Sequence, residues 1–109
     1  MRAGIYARVS SKRQAQDQTI QQQLTRLRTH LEQQGWEFDE ERVYPDDGYS
    51  GASLSRPGLD RLRDHAGLAE LDVVVITEPS RLARKYIHQV LLIEELEGHG
   101  CKVDFVTVR

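Results

Sequence analysis

Short apolar runs alternate along the chain with segments in which apolar residues recur at helical spacing. The runs predict strands over residues 3–9, 36–44, 71–76 and 102–108. The three- and four-residue spacing of leucine, isoleucine and valine predicts helices over residues 18–34, 58–69 and 86–97. Between these elements lie two polar loops, residues 45–57, rich in Asp, Gly and Ser, and residues 77–85, which read TEPSRLARK.

This alternation predicts an α/β fold, a mainly parallel sheet flanked by helices on both faces. A chain of 109 residues suits one domain with one core. Ligands of such sheets bind at the carboxyl ends of the strands. Three segments would bring hydroxyl and guanidinium groups to that edge: Arg8 and Ser10 after the first strand, Ser50, Ser53, Ser55 and Arg56 after the second, and Ser80, Arg81 and Arg84 after the third.

Several arginines around one serine hydroxyl are typical of phosphate chemistry. A guanidinium is a planar fork of donors that matches a phosphate and stays charged at any working pH. Such forks neutralise the charge that develops on the oxygens of a phosphodiester under attack, and they activate a neighbouring hydroxyl as a nucleophile. The sequence therefore predicts a phosphoryl-transfer site at the edge of the sheet.

Composition and charge exclude only a few classes of protein. The net charge of −2 argues against a wholly basic nucleic-acid binder but is compatible with a local basic patch. No apolar run approaches the roughly 20 residues of a membrane helix, and the N-terminus lacks the pattern of a signal peptide. The single cysteine, Cys101, excludes an internal disulfide, fits a reducing cytoplasm, and is expected to pack in the core.

Neither a metal nor a cofactor is expected. The sequence contains no GxGxxG or GxxxxGK[ST] phosphate loop and no Cys/His cluster with ligand spacing. The four histidines are scattered, each on a predicted helix or at its end, and are interpreted as solvated or packing residues: His30, His65, His88 and His99.

Four segments together resemble one family. They are YARVS at residues 6–10, QQQL at 21–24, DDGYSGASLSRPGLDRL at 46–62 and SRLAR at 80–84. In order and spacing they resemble the catalytic domain of the serine recombinases, the resolvase and invertase family, from residue 2 to the last residue. GYSG followed by RPGL is most similar to the large serine recombinases, meaning phage integrases and mobile-element recombinases, although small resolvases stay open.

The resemblance implies a site-specific DNA recombinase. Ser10 would be the nucleophile and would become joined to a DNA 5′ phosphate while a 3′ hydroxyl leaves. Arg8 would bind the scissile phosphate. Because the covalent link conserves the energy of the broken bond, strands can be exchanged and resealed without ATP or metal. Ser11 is the competing hydroxyl and is interpreted as structural.

Further roles follow from the same resemblance. Gln23 would order the site by hydrogen bonding, and Arg56 would be the active-site arginine that follows the long loop. Arg81 and Arg84 match the two arginines of the family's DRLxR pattern and would complete a phosphate cage.

One position departs from the family. Ser80 stands where an Asp usually precedes the first arginine of DRLxR, so hydrogen bonding is retained there and charge is not. Glu78, two residues earlier, is the candidate to substitute in part. Ser80 leaves open a recombinase-derived domain that binds or assembles without cutting, and the parallel sheet leaves open a flavodoxin-like module for phosphate ligands.

The resemblance also implies a setting. Residues 1–109 would be the catalytic domain alone, because in this family an oligomerisation helix and DNA-binding domains follow it. The expected partners are a DNA recombination site and, in the full-length protein, further copies in a dimer or tetramer, with no membrane. The expected location is the cytoplasm, in a bacterial or phage-encoded context.

Overall fold

Strands and helices alternate in the computed structural model, which describes residues 1–11 and 18–107. The elements are β1 (Arg2–Val9), α1 (Ile20–Gln34), β2 (Glu37–Asp47), α2 (Pro57–Gly67), β3 (Val73–Ile76), α3 (Pro79–Leu82), α4 (Tyr86–Gly98) and β4 (Lys102–Phe105). Every predicted strand and helix is present. The addition is α3, a single helical turn inside the predicted 77–85 loop.

The four strands form one parallel sheet in the order β2-β1-β3-β4. The mainly parallel sheet predicted from the alternation is therefore confirmed. The chain adds β2 on one side of β1 and then crosses to add β3 on the other side. The connections after β1 and β3 consequently diverge, and the gap between them at the carboxyl ends is the usual position of a ligand site in such sheets.

Helices cover both faces of the sheet, as predicted. On one face, α1 packs Leu24, Leu27 and Leu31 against β1 and β3. On the other face, α2, α3 and α4 pack against the opposite side chains of the same strands, with Leu59, Leu62, Leu82, Leu92 and Leu96 in the buried cluster. Cys101 lies in this second cluster with no exposed surface, which confirms its core position, and burial raises the pKa of its thiol to about 12.

Local signals explain where two of the helices begin. Thr19 and Gln22 form a reciprocal capping box at the start of α1. Helix α2 opens with Pro57 at its first turn but has no cap from its own N-cap side chain. Instead, the carboxylate of Asp46 on β2 accepts hydrogen bonds from the backbone N–H groups of Gly58 and Leu59, at 2.7 and 2.9 Å.

The boundary of β2 differs from the prediction in a way that matters for the site. The strand was expected to end at residue 44, yet it continues to Asp47, with Asp46 paired beside Arg8 of β1. Prolines are tolerated where no ladder hydrogen bond is needed, and β2 is an edge strand. Within the described ranges, no helix is long and apolar enough to cross a membrane.

Candidate active site

A cleft of about 500 Å³ lies at the carboxyl ends of β1 and β3. Its lining comes from the three predicted segments: Arg8, Ser10, Ser11, Ser50, Gly51, Ser80 and Arg84. Ser10 is half-buried at the end of β1, whereas Ser11 is exposed. The hydroxyl predicted as nucleophile therefore shares one cleft with two guanidinium-bearing residues, at the point where the sheet topology favours a ligand.

Arg8 is held almost entirely by main-chain carbonyl groups. Its Nε donates to the carbonyl of Arg81 at 3.0 Å, and its two terminal nitrogens donate to the carbonyls of Tyr49 at 3.1 Å and Ser80 at 2.7 Å. The side chain thus ties the loops after β2 and β3 to the end of β1. These bonds use three of the five N–H groups, and among the described residues one N–H on each terminal nitrogen remains for a ligand.

The charge of Arg8 is set in a crowded electropositive region. Only 7% of the residue is exposed. Burial lowers the pKa of Arg8, and the positive charges of Arg56 and Arg81 lower it further. An arginine stays protonated under these conditions, so the side chain meets the cleft as a partly desolvated cation, which attracts an anion more strongly than a solvated one.

Arg81 and Gln23 form hydrogen bonds with the main chain of Arg8, two residues before Ser10. The carbonyl of Arg8 accepts from Gln23 Nε2 at 3.1 Å and from a terminal nitrogen of Arg81 at 3.3 Å. The N–H of Arg8 donates to Gln23 Oε1 at 3.3 Å. Both polar groups of this residue's backbone are therefore fixed two positions before Ser10, which agrees with the ordering role that the resemblance implies for fully buried Gln23.

Arg56 is not brought to the cleft. Its side chain is fully buried, and its guanidinium donates to the carbonyl of Ser53 at 2.9 Å, to the hydroxyl of Tyr6 at 2.7 Å and to the carbonyl of Leu82. The resemblance implies that Arg56 is the active-site arginine that follows the long loop, and that role stays a prediction. Interior acceptors occupy its donors, and they include the carbonyl of Leu82 on α3.

Sequence reasoning missed the buried partners of Arg56. The hydroxyl of Tyr6 donates to Asp46 at 2.7 Å, so Asp46, Tyr6 and Arg56 form a continuous hydrogen-bonded chain. Burial raises the pKa of Tyr6, which keeps the phenol protonated as a donor. One signal was available: a tyrosine in an apolar strand needs a polar partner for its hydroxyl.

Of the seven predicted site residues, four line the cleft, two donate hydrogen bonds to the backbone carbonyl of Arg8, and one is buried in the interior behind the cleft. The cleft residues are Arg8, Ser10, Ser80 and Arg84; Gln23 and Arg81 hold the backbone; Arg56 is behind. Arg84 is exposed, and its backbone N–H donates to the carbonyl of Gly51 at 2.9 Å. Among the described residues, no group of three or more His, Cys, Asp and Glu side chains could hold a metal ion.

A substitution at Gly51 would test whether the cleft needs the Arg8 guanidinium in its present position. A Cβ atom on Gly51 would lie 2.6 Å from a terminal nitrogen of Arg8 and 2.8 Å from its Cζ, closer than nonbonded atoms approach. Since three carbonyls hold that guanidinium, Gly51→Ala is expected to displace it and to lower phosphate-directed activity about tenfold or more. The free energy of unfolding should fall by only about 1 kcal/mol.

Activity assays together with thermal unfolding of Gly51→Ala check this prediction, and Ala52→Ser, at the exposed next residue, is the control. An unchanged rate for Gly51→Ala would show that Arg8 is not needed in this position.

A half-buried serine and several arginines lie together at the carboxyl edge of the parallel sheet, which is the arrangement expected of a serine recombinase catalytic domain. The chain belongs to the family described as Resolvase, N terminal domain, which matches residues 3–109.

The chain is similar in structure to solved catalytic domains of an integrase and of a serine recombinase. It is similar to the N-terminal catalytic domain of TP901-1 integrase, with 27% identity and a TM-score of 0.87 over 98% of this chain and 78% of that one. It is also similar to the C-terminal catalytic domain of ISC1926 TnpA, an IS607-like serine recombinase, with 33% identity and a TM-score of 0.83 over 97% and 70% of the two chains.

One curated relative is much longer than the region it shares with this chain. It is a protein of Bacillus subtilis (strain 168) named "Putative DNA recombinase", which is 38% identical over 63 residues. The match covers 58% of this chain and 13% of the relative. The shared region is therefore a small part of that protein.

Proposed function

We propose that this chain is the catalytic domain of a site-specific DNA recombinase that cleaves and rejoins DNA through Ser10. One observation carries the proposal: Ser10 lies half-buried at the carboxyl end of β1, in the same cleft as Arg8 and Arg84. A hydroxyl beside two guanidinium-bearing residues suits attack on a phosphodiester, since those groups stabilise the developing negative charge. The family to which the chain belongs supports the same chemistry.

The reaction exchanges one phosphodiester for another. Ser10 Oγ forms a bond to the scissile phosphorus as the bond from phosphorus to the 3′ oxygen breaks. Ser10 loses one proton in this step, and the departing 3′ oxygen gains one. The product is a 5′-phosphoserine link and a free 3′ hydroxyl, and the same step in reverse, with a 3′ hydroxyl from another strand, reseals the DNA. No net bond energy is lost, so the exchange needs no ATP.

The arginines would have two roles: some would bind the phosphate, and others would hold the backbone around the site. The N–H groups of Arg8 that bond to none of the described residues, together with the guanidinium of the exposed Arg84, would bind the non-bridging oxygens of the phosphate. Arg81 and Gln23 would fix the strand end that presents Ser10. Ser80 would keep a hydroxyl at the rim of the cleft, and Arg56 would act from behind by holding the carbonyl of Leu82.

The wider setting follows from the same proposal. The substrate is a DNA recombination site, and strand exchange requires the full-length protein to self-associate, as a dimer or tetramer, so that two duplexes meet. We place the reaction in the cytoplasm of a bacterium, with the gene carried by the host, a phage or another mobile element. A flavodoxin-like phosphate module is disfavoured, because the chain belongs to the resolvase family and two arginines, Arg8 and Arg84, line the cleft.

Trapping the covalent intermediate tests the proposal. The full-length protein is incubated with duplex DNA of its recombination site that carries a nick near the cleavage position, so that the freed fragment diffuses away and resealing is blocked. The expected result is a protein–DNA adduct whose peptide map places the phosphate on Ser10. DNA binding without any adduct under these conditions would favour a domain that assembles on DNA without cutting.

Cleavage is expected to persist in excess EDTA. The positive charge that stabilises the transition state would come from guanidinium groups, which chelation does not remove. The measurement is adduct yield with and without EDTA, with circular dichroism to verify folding. Loss of adduct that Mg²⁺ restores, while the fold is unchanged, would point to a metal-dependent nuclease.

A further inference from the structure

The carboxylate of Glu78 lies against one arginine of the site. Its Oε1 is 3.3 Å from Nε of Arg81, and the two residues are also linked by the N–H of Arg81, which donates to the carbonyl of Glu78 at 3.1 Å. The side chain of Arg81 is only 13% exposed, while that of Glu78 is 42% exposed. Glu78 thus stands at the boundary between solvent and a largely buried guanidinium.

Arg81 needs such a neighbour. Its Nε is buried and makes no hydrogen bond within the described residues, so the charge of Glu78 is what faces that edge of the guanidinium. The opposite end donates to the carbonyl of Arg8, whose own side chain donates back to the carbonyl of Arg81. These reciprocal bonds hold two like charges close together, and a carboxylate offsets their repulsion.

Ser80 does not supply that charge. It directly precedes Arg81, but its side chain is exposed and neutral, and its contribution to the arginines is the main-chain carbonyl that accepts from Arg8. Asp46 is turned to other partners, namely Tyr6 and the start of α2. Glu78 is therefore the carboxylate that the described contacts place on Arg81.

We propose that Glu78 is a positioning residue that fixes the Arg81 guanidinium against the carbonyl of Arg8 and so sets the strand end that presents Ser10. The inference rests on the proposed DNA cleavage and deepens it. Glu78 acts through Arg81 and touches no reacting atom. Its loss should slow the chemical step and leave DNA affinity unchanged, because the phosphate-facing guanidiniums of Arg8 and Arg84 stay in place.

The test compares Glu78→Gln with the wild-type full-length protein. Single-turnover adduct formation on nicked DNA is expected to slow about twofold to fivefold, the scale for a half-exposed ion pair. The Kd for DNA and the thermal midpoint should stay within error. Glu78→Asp keeps the charge and should recover part of the lost rate. Glu95→Gln is the matched control, since it removes the carboxylate of another arginine pair, with Arg63, outside the cleft lining, and should leave the rate unchanged.

A second readout does not depend on cleavage. The Nε–Hε signal of Arg81 in a ¹H–¹⁵N spectrum should shift in Glu78→Gln and stay in place in Glu95→Gln. An unmoved signal, or a Glu78→Gln rate equal to that of Glu95→Gln, overturns the inference even if wild type forms the adduct normally. If wild type forms no adduct, the proposed cleavage fails, while the spectrum still decides whether Glu78 holds Arg81.

Discussion

Ser10→Ala is expected to abolish the covalent protein–DNA adduct while leaving the fold and DNA binding intact. Alanine removes the only atom of this side chain that can bond to phosphorus, so the loss should be complete within detection, at least about a thousandfold. The residue is half-buried at a strand end, and removing its hydroxyl should change stability by less than about 1 kcal/mol. Adduct yield on nicked DNA, DNA affinity and thermal unfolding together give the result.

Ser11→Ala is the matched control for this prediction. The same hydroxyl is removed one position later, at an exposed residue that also lines the cleft. Its adduct yield should stay close to wild type. An adduct that survives Ser10→Ala, or that maps to Ser11, would refute the assignment of the nucleophile.

Arg56→Ala is expected to have the largest effect on stability, about 3 kcal/mol or more. The guanidinium is fully buried and serves the carbonyls of Ser53 and Leu82 and the hydroxyl of Tyr6. Removing it leaves those acceptors without this donor and takes one of the cations away from the buried Asp46, which is costly in a region of low dielectric. Urea unfolding monitored by circular dichroism measures the change.

Arg84→Ala separates this structural effect from catalysis. Arg84 is exposed at the cleft, so its loss should change stability by less than about 0.5 kcal/mol and slow adduct formation by about tenfold or more. Arg56→Ala should lose both properties together. If Arg56→Ala is as stable as Arg84→Ala and still fails to cleave, Arg56 reaches the phosphate in the working complex, and its position behind the cleft does not describe that state.

Most of the fold was predictable because the apolar pattern is strong. Four apolar runs and three segments with apolar residues at helical spacing fixed the order of strands and helices, and the handedness and burial of parallel sheets left little choice of architecture. The pattern fails where elements are too short or too polar to carry a period. Helix α3 has four residues, about one turn, which is too few for an apolar period to recur, and the end of β2 reads Pro-Asp-Asp.

The site was predictable by location more than by role. The rule for parallel sheets brought Arg8, Ser10 and Arg84 to one edge, and the structure has them in one cleft. The sequence could not indicate how deeply each of these side chains is buried. An arginine in a polar loop before a proline is usually exposed, yet Arg56 is buried because Tyr6 and the turn of α3 supply acceptors inside. Such pairing depends on contacts between residues about 25 to 50 positions apart.

The carbonyl groups around Arg8 have a consequence for evolution and engineering. Every amino acid carries a main-chain carbonyl, so the acceptors at Tyr49 and Ser80 survive any change of side chain that leaves the loop path intact. Both side chains are exposed at or beside the rim of the cleft. Libraries that vary residues 49 and 80 can therefore search for new substrate preferences while the guanidinium stays anchored. Such variants would change the side chains that face a substrate, while the main-chain carbonyls of the same residues still accept from Arg8.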